Sequence, residues 1–388
     1  DDESEDKKEE VLTIDHMLGF EKFEPNELSC ENIGDLTDSD LIALGGFLCL
    51  ETSTNLKKII IEGNYFYDAG VIGFGKSLKK FKALKILDMQ YTNMTNDGIK
   101  GIAEGLKENK TLTQLSLSAH KDVSDEGAIA VGKALEKNDS LTRLDLDATS
   151  IGDKGVNGLC QSLKKNNSLT YLELSETDFT LKGAKTLGSM LQNNNIALNE
   201  LYLNKCKLGN NGLDYLSKGL KTNNTLVLLE LEQIGITKKE ELEDGIIALC
   251  EALKTNLKLT RLSLADNKIT EKGLNAFLGL FTTENYNGLT YPEDEKGSKK
   301  KGGDDEDEED GEGKEDEEGE DDEEDEENDD DDDRPANLTI HIPEGSEERY
   351  KKLELAAQSK KIIVEFTMNY KEEEEEIDFG DDDGGDDY

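Results

Sequence analysis

A leucine pattern that returns every 28 or 29 residues constrains this chain more than any other feature. Leu112-Thr-Gln-Leu115-Ser-Leu117 recurs as Leu141-Thr-Arg-Leu144-Asp-Leu146, then as Leu169-Thr-Tyr-Leu172-Glu-Leu174 and Leu198-Asn-Glu-Leu201-Tyr-Leu203. Further copies start at Leu56, Leu84, Leu226 and Leu259, the last after a longer interval of 33 residues, and a degenerate copy lies around Leu28 to Ile33. The xLxL core is a short period-2 segment, which predicts a strand. Beyond its last leucine comes a small polar position held by Asn64, Thr92, Thr149, Thr177, Cys206 and Asn267. An apolar residue follows (Phe66, Met94, Ile151, Phe179, Leu208, Ile269), and then a glycine. Helix starts are expected at Thr95, Ser124, Thr180 and Thr270. Helix ends are expected at Asn109, Asn138, Asn166 and Asn223, because Asn tolerates a left-handed cap. One strand–turn–helix unit cannot bury its own leucines, so the units must stack to make a core.

These residues resemble the ribonuclease-inhibitor-type leucine-rich repeat, whose units are about this long and pair each strand with a full helix. The resemblance covers roughly residues 28–289. It implies an α/β horseshoe, with parallel strands on the concave face, helices on the convex face and right-handed crossovers. It also implies that the polar side chain after each strand bonds the backbone of its own turn and of the neighbouring one.

Charge divides the rest of the chain. Of the net charge of −44, residues 304–333 contribute 25 acids against one lysine, 371–388 contribute 11 against one, and 1–10 contribute seven against two, leaving about −5 elsewhere. The expected organisation is an acidic N-terminal tail and cap (1–27), leucine-rich repeats (28–291), a Lys-rich then acidic disordered insertion (292–333), a β-α-β segment (334–370) and an acidic disordered tail (371–388). The acidic run cannot bury enough apolar surface to offset its ordering entropy, and it repels itself. In 334–370, Leu338, Ile340 and Ile342 alternate as a strand would, Tyr350, Leu353 and Ala357 share a helix face, and Val364, Phe366 and Met368 alternate again. So small a fragment is expected to fold onto the horseshoe and cover its C-terminal edge. Anionic tails make nucleic acid and membrane surfaces poor direct partners. No apolar run approaches the ~20 residues of a membrane span. The acidic start does not read as a secretory signal, and a chain beginning at Asp1 is expected to lack its natural N-terminus. Five cysteines without a recurring pair spacing point to a reducing compartment, cytoplasm or nucleus.

Candidate chemistry is sparse. Gly70-Val-Ile-Gly-Phe-Gly75-Lys76-Ser77 matches the phosphate-loop pattern letter for letter. A phosphate loop, however, needs a strand before it and free N–H groups, whereas this stretch aligns with the helices of the later repeats. His16, His120 and His341 are far apart, and His120 occupies the polar turn position, where a structural role is expected. Neither catalytic, cofactor-binding nor metal-binding residues are assigned. The expected partner-binding surface is the concave wall, where side chains flanking the inner leucines point outward. Its candidate residues are Asp88, Arg143, Asp145, Asp147, Tyr171, Glu173, Glu200, Tyr202, Glu230, Glu232 and Arg261. The middle of the wall is acidic, with two tyrosines as contact anchors. About five extra residues in Thr237–Asp244 mark a rim insertion.

The reading that follows is a non-catalytic protein–protein interaction scaffold. It is a monomer outside its complex and binds a basic protein partner. The alternative is a GTPase-activating protein for a Ran-like small GTPase, because Ran GTPase activators are similar in plan, with repeats followed by an acidic region. That family has an important arginine in an enlarged rim loop near the start of the array. Here the only arginines are Arg143, Arg261, Arg334 and Arg349, and no functional residue of that family carries over. The leucine-rich acidic nuclear proteins that handle histones resemble this chain in architecture, with shorter repeats.

Overall fold

The computed structural model describes residues 26–32, 36–49, 56–193, 197–236, 244–282, 337–341, 347–359 and 363–367. The N-terminal tail, the rim insertion at 237–243, the run 292–333 and the tail 371–388 lie outside the described residues. Each leucine segment forms a short strand: β1 Glu27–Ser29, β2 Lys58–Ile60, β3 Ile86–Asp88, β4 Gln114–Ser116, β5 Arg143–Asp145, β6 Tyr171–Glu173, β7 Glu200–Tyr202, β8 Leu228–Glu230 and β9 Arg261–Leu264. Helices alternate with them: α1 Asp38–Phe47, α2 Asp68–Ser77, α3 Asn96–Leu106, α4 Asp125–Leu135, α5 Asp153–Leu163, α6 Leu181–Leu191, α7 Gly209–Leu220, α8 Asp244–Leu253 and α9 Glu271–Phe281. Then come β10 Asn337–His341, α10 Glu347–Ser359 and β11 Ile363–Thr367.

All neighbouring strands pair in parallel, in sequence order from β1 to β11. The register places each central leucine opposite the next, Leu115 against Leu144 and Leu144 against Leu172. Strands in a sheet are spaced about 4.8 Å apart, whereas helices are about 10 Å wide, so the stack must curve with its strands inside. Helix layers approach closely where a side chain is missing. A Cβ on Gly105 of α3 would lie 1.9 Å from the Gly75 carbonyl oxygen of α2, and one on Gly75 would lie 2.5 Å from the backbone of Gly101. The glycines of the Gly70–Ser77 motif thus serve helix packing. The motif lies inside α2, where Val71 N–H already bonds Tyr67 O.

The C-terminal segment continues the sheet. β10 pairs with β9, Leu338 opposite Leu262 and Ile340 opposite Leu264, and β11 pairs with β10. Leu353 and Ala357 of α10 are buried in the same core as the repeats.

The helix ends correct one expectation. None of Asn109, Asn138, Asn166 and Asn223 has a positive φ; among the described residues the left-handed ones are Asn32, Tyr91, Ala119, Ala148, Glu176, Lys205, Gln233 and Asp266, with Gly63, Gly209 and Gly235. A left-handed position follows each of β1 to β9, where the chain must turn away from the sheet. The asparagines are buried and bridge consecutive repeats instead. Asn138 Nδ2 donates to Leu106 O (2.8 Å) and Asn109 O (2.9 Å), and its Oδ1 accepts from Leu141 N (2.8 Å). Asn166 repeats the pattern on Leu135 O, Asn138 O and Leu169 N, and Asn256 on Leu220 O, Asn223 O and Leu259 N. A side-chain amide supplies both the donor and the acceptor that this buried backbone needs.

Helix starts agree in part. Thr95, Thr180 and Thr270 accept from N–H groups of their first turns, but Ser124 does not. Its Oγ accepts from Asn96 Nδ2, and Asn96 Oδ1 takes the Ser124 and Gly127 N–H groups. Capping passes between repeats in this way elsewhere too: Asp68 accepts from Thr95 N and Gly98 N, and Asp153 from Thr180 N and Gly183 N. A carboxylate there also suits the positive end of the next helix.

The polar turn position satisfies backbone, as the resemblance implied. Asn64 donates to Cys30 O, Thr149 to Leu146 O and Cys206 to Leu174 O. At the same position His120 is buried, its Nδ1 3.1 Å from Leu117 O and its Nε2 accepting from Thr92 N at 3.1 Å. A carbonyl can only accept, so Nδ1 carries the hydrogen and the ring is neutral. Burial lowers the His120 pKa.

Candidate functional site

The parallel register arranges the concave side chains in rows. One row runs Gln114, Arg143, Tyr171, Glu200, Leu228 and Arg261; the next runs Asp88, Ser116, Asp145, Glu173, Tyr202, Glu230 and Ser263. Neighbours within a row sit one strand spacing apart, about 4.8 Å. Asp147 and Glu232 follow β5 and β8 at the start of the turns.

Tyr171 and Tyr202 form the centre. Their ring centroids are 4.8 Å apart, and the Arg143 guanidinium lies 3.6 Å over the Tyr171 ring. Such a stack over an aromatic face holds a guanidinium by cation–π attraction. Tyr171 OH donates to Glu173 (3.2 Å) and Tyr202 OH to Glu200 (2.9 Å). Arg261 reaches Glu200 at 3.6 Å across β8, where Leu228 is only 6% exposed. Both tyrosines are half-buried, so they anchor the wall as much as they face outward.

The carboxylates are held by polar side chains from the turn row and from β9. Ser118 Oγ donates to Asp145 (2.6 Å), Asn204 Nδ2 to Glu230 (2.7 Å) and Ser263 Oγ to Glu232 (2.7 Å). Asn204 Oδ1 accepts from Glu232 N, and Ser175 N donates to Glu173. These hydrogen bonds do not offset burial and repulsion. Desolvation, with Asp145 and Asp147 nearby, pushes the Glu173 carboxyl up to about 7. Burial and the Asp147 charge raise Asp145, and burial with Glu232 raises Glu230. Burial and the adjacent carboxylates Glu173 and Glu200 also raise the phenols of Tyr171 and Tyr202. A wall in this state gains free energy from any cation that replaces the missing counter-charge.

Ten of the eleven residues singled out in the sequence lie between β5 and β9. Asp88 stands apart on β3, with Ser116 between it and Asp145, and is bonded by Gln90. Ser118, Ser175, Asn204 and Ser263 were not singled out. Their signal was periodic: Ser118, Ser175 and Asn204 occupy the turn row that also carries Asp147 and Glu232, and Ser263 sits in line with Glu230. Arg143 and Arg261 are both engaged on strands. Among the described residues no group of His, Cys, Asp and Glu could hold a metal ion, and no helix is long and apolar enough to cross a membrane.

The Leucine Rich repeat family model matches residues 83–103, 108–132, 137–160, 165–188 and 255–278. The chain thus contains leucine-rich repeats. Each match begins near the end of one helix, takes in the next strand and covers much of the following helix, the unit that the sequence spacing defines. No curated protein matches the chain in sequence. Among solved structures, it is similar to leiomodin-1 actin-binding site 2 at 19% identity, over 46% of this chain and 84% of that one, with a TM-score of 0.31. The tropomodulin C-terminal domain of Caenorhabditis elegans is 20% identical over 41% of this chain and 92% of that one, TM-score 0.33. The yeast Rad7–Elc1 complex is 16% identical over 65% and 73%, TM-score 0.34. Likenesses of this size carry no argument about what the repeats of this chain bind.

Proposed function

We propose that this leucine-rich-repeat chain is a protein-interaction scaffold that takes a basic protein segment on its concave wall. The observation that carries this reading is electrostatic. Six carboxylates, Asp145, Asp147, Glu173, Glu200, Glu230 and Glu232, line four adjacent strands; Arg143 and Arg261 lie among them, Lys205, paired with Glu176, stands near Asp147 and Glu232, and several of the carboxylates are half-buried with raised proton affinity. Lys or Arg side chains of a partner would supply the counter-charge, and the stacked tyrosines would give them apolar and cation–π contact. The acidic runs at 304–333 and 371–388 would raise the encounter rate of a basic partner by long-range attraction.

The test is titration calorimetry with a synthetic Lys/Arg-rich peptide against the wild-type chain and a Glu173→Gln/Glu230→Gln variant, at low and physiological salt. Neutralising two half-buried carboxylates is expected to weaken the wall's binding by about tenfold or more. Equal affinity and equal salt dependence in the two proteins would sink the reading and place any affinity in the acidic runs.

A further inference from the structure

Away from the centre of the wall, three exposed aromatic side chains gather on one rim. Tyr65, Tyr67 and Tyr91 are 61%, 65% and 62% exposed. They lie in the turns that lead from β2 to α2 and from β3 to α3. These turns are adjacent in the stack, since Gly63 N–H donates to Gln90 O.

The fold does not call for tyrosine at these places. Tyr67 is the N-cap of α2 and makes no side-chain cap bond, whereas the threonines at the same position in α3, α6 and α9 each accept one. Tyr91 holds φ at 51°, the left-handed conformation that its counterpart in the preceding turn, Gly63, adopts without a Cβ. Residues other than glycine fill this left-handed position in most turns, so what sets Tyr65, Tyr67 and Tyr91 apart is that each presents a mostly exposed aromatic ring to solvent. Exposed apolar rings on adjacent turns mark interaction surfaces. Tyrosine is also the residue type that interface hot spots favour.

Charge indicates the occupant. Glu62 is half-buried beside Gly63, and its pKa is raised by burial and by the charges of Asp88 and Glu31. None of Glu31, Glu62 and Asp88 forms an ion pair with a described cation. Aromatic faces bordered by unpaired carboxylates suit guanidinium and ammonium groups and repel phosphate.

We propose that the rim formed by Tyr65, Tyr67 and Tyr91, with Glu31, Glu62 and Asp88, is a second docking surface for an arginine- or lysine-bearing extended protein segment. The rim lies at the N-terminal part of the array, several repeats from the Tyr171–Tyr202 pair. It does not require the central wall to be occupied.

Tyrosine iodination of the full chain, mapped by mass spectrometry, reads the two surfaces separately. The probe is a synthetic arginine–glycine peptide, with an aspartate–glycine peptide as control. Protection of Tyr65, Tyr67 and Tyr91 by the arginine peptide alone is expected. In a Tyr65→Ser/Tyr67→Thr variant, the peptide concentration that half-protects Tyr91 should rise by about tenfold, the loss of two cation–π contacts. Tyr67→Thr installs a capping side chain, so the variant should remain folded by circular dichroism. No protection of the rim at saturating peptide overturns the proposal, as does unchanged protection of Tyr91 in the variant. Protection confined to Tyr171 and Tyr202 would overturn it while leaving the concave reading intact.

Discussion

Replacing Asn138 with Ala should destabilise the array far more than the loss of one surface amide would. Asn138 is 2% exposed, and its side chain serves Leu106 O, Asn109 O, Ser140 N and Leu141 N. Ala leaves these backbone groups facing a small cavity. A buried polar group left without a partner costs about 1–3 kcal/mol. Ser140 Oγ gives Asn109 O a second, long contact at 3.5 Å, and Asn109 N–H gives Leu106 O one at 3.3 Å, so these two carbonyls are orphaned only in part. The two N–H groups of Ser140 and Leu141, at the low end of the range, give a loss of about 2 kcal/mol. The same residue joins α3, the turn after it and the following strand, so the loss should appear in the cooperative transition of the central repeats. Urea unfolding followed by far-ultraviolet circular dichroism measures it, with Thr186→Ala on the exposed face of α6 as the control. A loss below about 1 kcal/mol, similar to the control, would show that the asparagine bridges are not what holds consecutive repeats together.

The remaining predictions concern proton linkage and packing. His120 is neutral in the fold with a lowered pKa, so it favours the folded state above the unfolded value of 6.5 and opposes it as pH falls below that value. His120→Asn should therefore remove part of the stability loss seen between pH 7.5 and pH 5 in thermal melts. Glu173 has the opposite sign. Its folded pKa of about 7 lies above its ordinary 4.5, so its contribution is present at low pH and lost as pH rises through 7. Glu173→Gln should stabilise the chain by roughly 1–2 kcal/mol at pH 8, after discount for its partial exposure, and have little effect at pH 4.5. Gly105→Ala should lower the melting temperature although Ala is the better helix former, because its Cβ would meet the Gly75 carbonyl. A rise in melting temperature would mean that α2 and α3 can separate freely.

The repeat made the architecture legible because one constraint recurs in every unit: leucines at period 2 need a neighbour to bury them. That argument placed β2 to β9 and their helices, and it rejected a phosphate loop at Gly70–Ser77 because the alignment made that stretch helical. The asparagines were misread because a polar residue at a helix end suits both a left-handed cap and a buried bridge. Only the position of the preceding repeat's carbonyls decides between them. The left-handed residues escaped notice for a related reason. Tyr91, Ala119, Glu176 and Lys205 share no side-chain chemistry, since the turn acts on their backbone alone. On the wall, alternation identified which side chains point outward. The stacking of Tyr171 on Tyr202, and the raised proton affinity of Glu173, follow from the register and from burial, which the sequence does not print.

The central claim is that the concave wall, and not the convex helices or the acidic runs alone, receives a cationic protein segment. Site-specific photocrosslinking tests it directly. A benzophenone side chain placed at Gln114, beside Arg143 on the wall, is compared with one at Leu181, exposed at the start of α6. With a Lys/Arg-rich peptide in physiological salt, the account predicts strong crosslinking from position 114 and little from position 181, and weaker crosslinking from 114 in the Glu173→Gln/Glu230→Gln background. Equal yields from both positions, or a yield from 114 indifferent to those two carboxylates, would contradict it.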